Sequence, residues 1–178
     1  MSAITNLPDN YNLLAPVSFK FQIRKVPTVT YFCQTANIPG VSLGEVTRAT
    51  PFVDIAVPGD KVSYDDLSIA FLVDEDMANY IEMVDWIKNL GNTSDPKNQY
   101  GKFKNITDSG FAEKDVKVSD CSLTILTNNM NANKDIVFFD CWPTSLSELS
   151  LETVADSIEP MQATATFKYR DFEIKKVT

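Results

Sequence analysis

The side chains in this sequence that could do chemistry are few and scattered. Asp74-Glu75-Asp76 form one acidic run, and Asp60, Asp65 and Asp66 a looser second one. Cys33, Cys121 and Cys141 are the thiols, and Trp86 and Trp142 the indoles. A calcium loop built on Asp74 and Asp76 would need an oxygen ligand at 78 and a glycine shortly after. Position 78 is Ala and the glycine is missing, so the pattern fails. Carboxylates there suit a helix start, where they offset the positive end of the helix dipole. Asp60, Asp65 and Asp66 would make a glycosidase pair only if two of them faced each other across a cleft; turn and edge positions are the simpler role. Trp86 and Trp142 could serve as a flat platform for a sugar or a base, but their apolar neighbours suit core or subunit packing. The cysteines are odd in number, widely spaced and set in apolar strand contexts. They read as buried free thiols rather than a disulfide or zinc set. The chain has no histidine, which removes His-based triads, His–metal sites and most proton relays at neutral pH. Neither a phosphate loop nor a dinucleotide-binding glycine motif is present. Nothing here amounts to an active site, and the expectation is a protein that is not an enzyme and needs no metal or cofactor.

Charge narrows the partners. The net charge is -8, with an isoelectric point near 4.5. Gripping a nucleic-acid duplex takes clustered Lys and Arg, whereas an acidic wall repels a polyanion and lets it slide. Lys97, Lys102 and Lys104 interleave with Tyr100 and Phe103 in the polar stretch 92–115. A contact surface for a partner is one reading; three lysines in an acidic chain favour a solvated loop. No apolar run reaches membrane-spanning length, and the first residues lack the basic and apolar regions of a signal peptide. Synthesis and use in the producing cell's cytoplasm, without membrane binding, is the expectation.

The elements that would position these residues are mostly strands. Leu67, Ile69, Phe71 and Val73 alternate with Asp66, Ser68 and Ala70, which predicts a strand with one buried face. Helical spacing then takes over across 77–90, with Met77, Tyr80, Ile81, Met83, Val84, Trp86, Ile87 and Leu90 on one broad face and Gly91 as a left-handed stop. This is the one helix the sequence predicts. Residues 1–16 read as an extended arm. Strands at 17–24 and 30–35, joined by a turn at 25–29, predict a hairpin. Pro39-Gly40 breaks the chain, 41–57 suggests two strands in a long projecting hairpin, and Pro58-Gly-Asp-Lys61 carries a strong turn signature. A strand at 116–127 turns at Asn128–Asn133 and returns over 136–142, where Trp142-Pro143 ends it. The connection 145–157 anchors Leu146, Leu149 and Leu151 inward. The cleanest alternation is the last: Ala163, Ala165, Phe167 and Tyr169 against Gln162, Thr164, Thr166 and Lys168. Residues 171–177 extend that strand or bend into another. The sum is a mainly β domain over 17–178, a sandwich or partial barrel with one flanking helix and with edge strands that must be covered, charged or paired with copies of the chain.

Three segments resemble a known family. Pro58-Gly-Asp-Lys-Val-Ser-Tyr-Asp-Asp66 leading to Val84-Asp-Trp-Ile87, the segment Trp142-Pro-Thr-Ser-Leu-Ser-Glu-Leu-Ser-Leu151, and Gln162-Ala-Thr-Ala-Thr-Phe-Lys-Tyr169 are similar to the tail tube proteins of T4-type contractile phages. The resemblance covers most of 17–170; the arm 1–16 and the loop 92–115 match no quoted pattern. It implies six copies in a ring, strands joined into one continuous barrel around a lumen, and rings stacked into a virion tail tube assembled in the host cytoplasm. DNA and the tape-measure protein would pass inside without specific binding, tail sheath would lie outside, and baseplate tube-initiator proteins would start the stack. On that footing Gln162, Thr164, Thr166 and Lys168 are channel-lining candidates, although Lys168 and Arg170 sit poorly with a uniformly acidic wall. Phe52, Asp54, Lys97 and Lys102 are ring-stacking candidates. The alternatives are a tube-initiator or tube-completion protein of the same fold and, from another class, a small ligand-binding β-sandwich.

Overall fold

The computed structural model describes residues 13–14, 16–91, 118–152 and 160–177. Nine strands and two helices follow the order β1 (Phe19–Ile23), α1 (Pro27–Phe32), β2 (Cys33–Ala36), β3 (Val41–Ala49), β4 (Asp54–Tyr64), β5 (Leu67–Leu72), α2 (Ala78–Leu90), β6 (Ser119–Leu126), β7 (Ala132–Leu146), β8 (Gln162–Lys168) and β9 (Asp171–Lys176). One antiparallel sheet runs β1-β6-β7-β8-β5-β2, with β9 also on β7, and β3 and β4 form a separate two-stranded sheet.

β7 turns this single path into a wrapped body. Lys134 to Phe139 pair with β9, and Trp142 to Leu146 pair with β8. The bend falls at Asp140, an extra residue in the β6–β7 ladder held at φ 53°. A bulge of this kind bends its strand and sharpens the local twist. Asp140 is stabilised there because its N–H donates to the Asp120 carboxylate at 3.2 Å and its own carboxylate meets Arg170 at 2.8 Å. Phe21, Leu123, Ile136 and Phe138 enter the core from the β1-β6-β7 part, and Leu67, Ile69, Phe71, Ala165 and Phe167 from the β5-β8 part. α2 closes the side with Met83 and Trp86, the Trp86 ring 6.0 Å from Phe167. Each fully buried side chain of this size contributes roughly 1.5–3 kcal/mol.

Several local expectations are overturned. Residues 27–32 form a helix where a turn over 25–29 and a strand from 30 were expected: Pro27 opens it and Val29 anchors it in the core. Proline suits a first helical turn because its missing N–H has no helical partner there. The hairpin predicted between 17–24 and 30–35 is absent. β1 pairs with β6, and β2 with β5. α2 buries Asn79, Met83 and Trp86, while Met77 and Ile81 are exposed, so the inward face is narrower than the periodicity suggests. Met77, not Gly91, holds the left-handed backbone, and Gly91 leaves the helix extended at φ -72°. At the β6–β7 turn the left-handed residue is Met130 rather than an asparagine. β7 continues through Pro143, where a register shift absorbs the missing donor. Leu149 packs against the core but Leu151 is exposed. The last segment bends into its own strand, β9.

Candidate functional site

Among the described residues, no three His, Cys, Asp or Glu side chains gather closely enough to hold a metal ion. Cys121 and Cys141 are buried free thiols and Cys33 is half-buried. Burial pushes the Cys33 thiol up to about 11, which is the wrong direction for a nucleophile. Asp74 serves α2, accepting the Asn79 N–H at 3.3 Å. Asp66 pairs with Lys168, and the Asp65 backbone carbonyl accepts the Tyr169 hydroxyl at 2.9 Å. Trp86 is enclosed, and Lys25 sits 5.1 Å over its ring. Buried in this way, Trp86 cannot be a platform. An open groove of about 420 Å³ between β1, α1 and β6 is lined by Gln22, Arg24, Thr30, Asp120 and Ser122.

The predicted 41–57 hairpin is present, and β4 runs further than expected. Pro58 to Lys61 do not turn the chain. Glu45 pairs with Pro58 and Leu43 with Val62, so Gly59, Asp60 and Lys61 stand opposite Gly44 alone. Turn-forming residues have become an enlarged bulge, as glycines in strands often do. The backbones meet closely there, since a Cβ on Gly59 would lie 2.8 Å from the Gly44 carbonyl oxygen. The turn comes earlier, at 50–53, where the Val53 N–H donates to the Thr50 hydroxyl at 3.2 Å. Both strands are exposed along almost their whole length, and Phe52 at the tip is 98% exposed. The root is anchored: Tyr64 packs on Tyr169 and Phe172, and the Asp65 N–H donates to the Gly40 carbonyl at 3.0 Å. An isolated two-stranded hairpin is marginal in water, so this one calls for a partner.

β8 alternates as expected. Ala163, Ala165, Phe167 and Tyr169 are buried, Gln162, Thr164 and Lys168 are exposed, and Thr166 is half-buried. Across the ladder Thr166 faces Ser68 and Ser145, and Lys168 faces Trp142. The Thr144 hydroxyl donates to the Thr166 carbonyl at 3.1 Å, and the Thr164 N–H to the Ser147 hydroxyl at 2.9 Å. The two cations that jarred with an acidic wall are both matched, Lys168 by Asp66 and Arg170 by Asp140. The face is therefore hydroxyl-rich and locally balanced in charge. Among the described strands, β1 and β2 stand at the ends of the order, each with a neighbour on one side only. Of the stacking candidates, Phe52 and Asp54 lie at the hairpin tip, while Lys97 and Lys102 lie outside the described residues. Sequence reasoning missed the Gly44–Gly59 bulge and the Asp140 bend; a glycine 15 residues from another, each in an apolar run, was the available signal for the first.

Comparison with known proteins gives this surface a context. Residues 8–175 match the sequence model of a family described as phage tail tube protein. The tail tube terminator protein of Enterobacteria phage T4 is 27% identical over 150 residues, covering 83% of this chain and 78% of that protein. Among solved structures, the tube-terminating cap of the anti-feeding prophage superposes with a TM-score of 0.60 at 11% identity, over 99% of this chain and 100% of the other. A chain of the sheath–tube complex of an extracellular contractile injection system superposes at 0.56 and 13% identity, over 94% of each.

Proposed function

Because the chain belongs to the phage tail tube protein family, we propose that it ends a contractile-tail tube as a terminator ring. The observation that carries this reading is the likeness to the T4 tail tube terminator across most of both chains. The fold shared with a tube-terminating cap along nearly the whole length supports it. In this reading six copies close a ring through the free edges of β1 and β2, which relieves their unpaired backbone groups. Gln162, Thr164, Thr166 and Lys168 line the channel. Their hydroxyls and the Lys168–Asp66 pair offer DNA no net positive field, so it passes without being held. The hairpin bearing Phe52 and Asp54 makes contacts between copies. The ring sits in the virion tail after assembly in the host cytoplasm, against the last tube ring, with sheath around it and the tape-measure protein within.

The second reading is a subunit of the stacked tube itself, favoured by the comparable superposition on the sheath–tube complex. Electron microscopy separates the two. Added to growing tubes, a terminator marks one end, stops elongation there and forms single rings alone. Open-ended tubes from this chain alone would reject termination in favour of the stacked subunit.

A further inference from the structure

Two of the three thiols meet under the bend of β7. Across the β6–β7 ladder Cys121 faces Phe138 and Cys141 faces Ser119, with Asp140 as the extra residue between. Cys121 and Cys141 are therefore diagonal neighbours on adjacent strands. They are 1% and 0% exposed, so both side chains lie on the core side. A hydrogen bond joins the two side chains. Cys33 is on β2, at the far end of the strand order.

A buried cysteine is ordinarily inert, because hydrocarbon surrounds it and leaves it nothing to react with. Here the partner of one thiol is a second thiol. Cys121 also lines the open groove between β1, α1 and β6, together with Gln22, Arg24 and Ser122. A small neutral oxidant in that groove comes close to the pair while the domain stays folded. The bulge supplies slack. Joining the sulfurs draws them from hydrogen-bond contact to about 2 Å, and a strand with an extra residue can shift locally where a regular ladder cannot. The Cys121 thiol is pushed well above its ordinary value, first by the hydrogen bond to Cys141 and then by burial. Little thiolate forms at neutral pH, so the pair stays reduced while its surroundings are reducing.

We infer that Cys121 and Cys141 are a redox modification site: a hydroperoxide oxidises one thiol, and the other captures the product as an intramolecular disulfide that pins β6 to the bend of β7. In the first step the sulfur attacks the peroxide. An S–O bond forms as the O–O bond breaks, and hydroxide leaves with the thiol proton as water. In the second step the neighbouring sulfur attacks the sulfenic acid. An S–S bond forms as the S–O bond breaks, and hydroxide again takes the thiol proton as water. Two thiols and one peroxide become one disulfide and two waters. Cytoplasm is reducing and the surroundings of a released particle are oxidising, so the bond forms after assembly. That timing, unlike the site itself, rests on the reading of the chain as a virion tail subunit.

The test treats the purified full chain, carrying Cys33→Ser, with hydrogen peroxide in native buffer. Remaining thiols are then alkylated and peptides are mapped by mass without reductant. A peptide linked through Cys121 and Cys141 is expected, and dithiothreitol should release it. The linked protein should unfold at a urea midpoint about 1 M higher, because the bond closes a loop in the unfolded chain. Cys141→Ala removes the capturing thiol, so a sulfenic acid trapped by dimedone should replace the disulfide at Cys121, and Cys121→Ala should do the same at Cys141. Two free thiols after peroxide, a linkage that forms only when urea is present, or links only between copies overturns the site, whether or not the alanine variants fold. This arm uses the isolated chain, so its failure leaves tube termination standing. Chain taken from producing cells under an alkylating quench should have both thiols free, and released tails should carry the linkage. A linkage already present inside the cells overturns the proposed timing.

Discussion

Gly59→Ala should separate folding from assembly. The new methyl would stand 2.8 Å from the Gly44 carbonyl oxygen, and neither group is the free end of a flexible side chain. Forcing an extra carbon into a tight backbone contact costs roughly 1–3 kcal/mol. β3 and β4 pair only with each other among the described strands, so that cost falls on the hairpin and not on the body. A local loss of 1–3 kcal/mol lowers amide protection by about 5- to 150-fold. Hydrogen exchange should show this at Val46, Thr47, Ala56 and Val57, while Leu123, Ile136 and Ala165 keep their protection. The urea midpoint of the whole domain should stay within the roughly 0.5 kcal/mol expected of a change outside the core. Ring formation should fail or weaken by a similar factor. Gly44→Ala is the internal control, because a methyl there meets its nearest atom, the Lys61 carbonyl oxygen, at 3.5 Å, an ordinary contact. If Gly59→Ala and Gly44→Ala behave alike, or if the global midpoint falls in step with hairpin protection, then the bulge is not an independently strained unit and the reasoning fails.

Trp86→Ala should cost about 3–5 kcal/mol in urea unfolding, since it empties the site that α2 fills against Phe167. Tyr169 has its hydroxyl pushed up to about 12, first by burial and then by the charge of Asp65. Its folded value lies above the ordinary 10.0, so the folded state holds that proton longer. Stability from this group is complete below pH 10 and falls as pH rises from 10 toward 12. Tyr169→Phe should flatten that alkaline fall and lose about 1 kcal/mol at pH 7 with the bond to the Asp65 carbonyl. Cys33, raised to about 11 from 9.0, should alkylate at pH 8 about a hundredfold more slowly than an unperturbed thiol, accelerating tenfold per pH unit until near 11. Mass spectrometry after timed iodoacetamide treatment reads this directly.

What the sequence disclosed well was order judged against one interior. β8 alternates because water lies on one side and the core on the other; β5 keeps Leu67, Ile69 and Phe71 inward as expected, but Ala70, expected on the opposite side, is buried as well. The step from β5 into α2 was legible for the same reason. The failures came where a neighbour distant in the chain decides the outcome. Thr28, Val29, Thr30 and Tyr31 are strand-formers, yet packing of Val29 in the core and a start at Pro27 make them helical. β1 and β2 look like a hairpin because they are adjacent, but their partners lie about a hundred and about 35 residues further on. Pro143 looked like a strand end because proline lacks an N–H, and the register shift beside it removes the objection.

The hairpin shows a different limit. Its apolar residues follow neither a strand period nor a helical one over the full 41–64 stretch, which makes it the hardest segment to interpret as part of one folded body. The register resolves this, because the apolar face is regular on each side of the Gly44–Gly59 bulge and exchanged across it. A segment that keeps one partner has no reason to exchange faces, since the exchange exposes apolar area at about 25 cal/mol per Å². A segment lying between two bodies gains from it, because each half then presents its apolar side to a different neighbour. The irregular pattern over 41–64 is thus two regular patterns joined at a bulge, a break that only the pairing register makes visible.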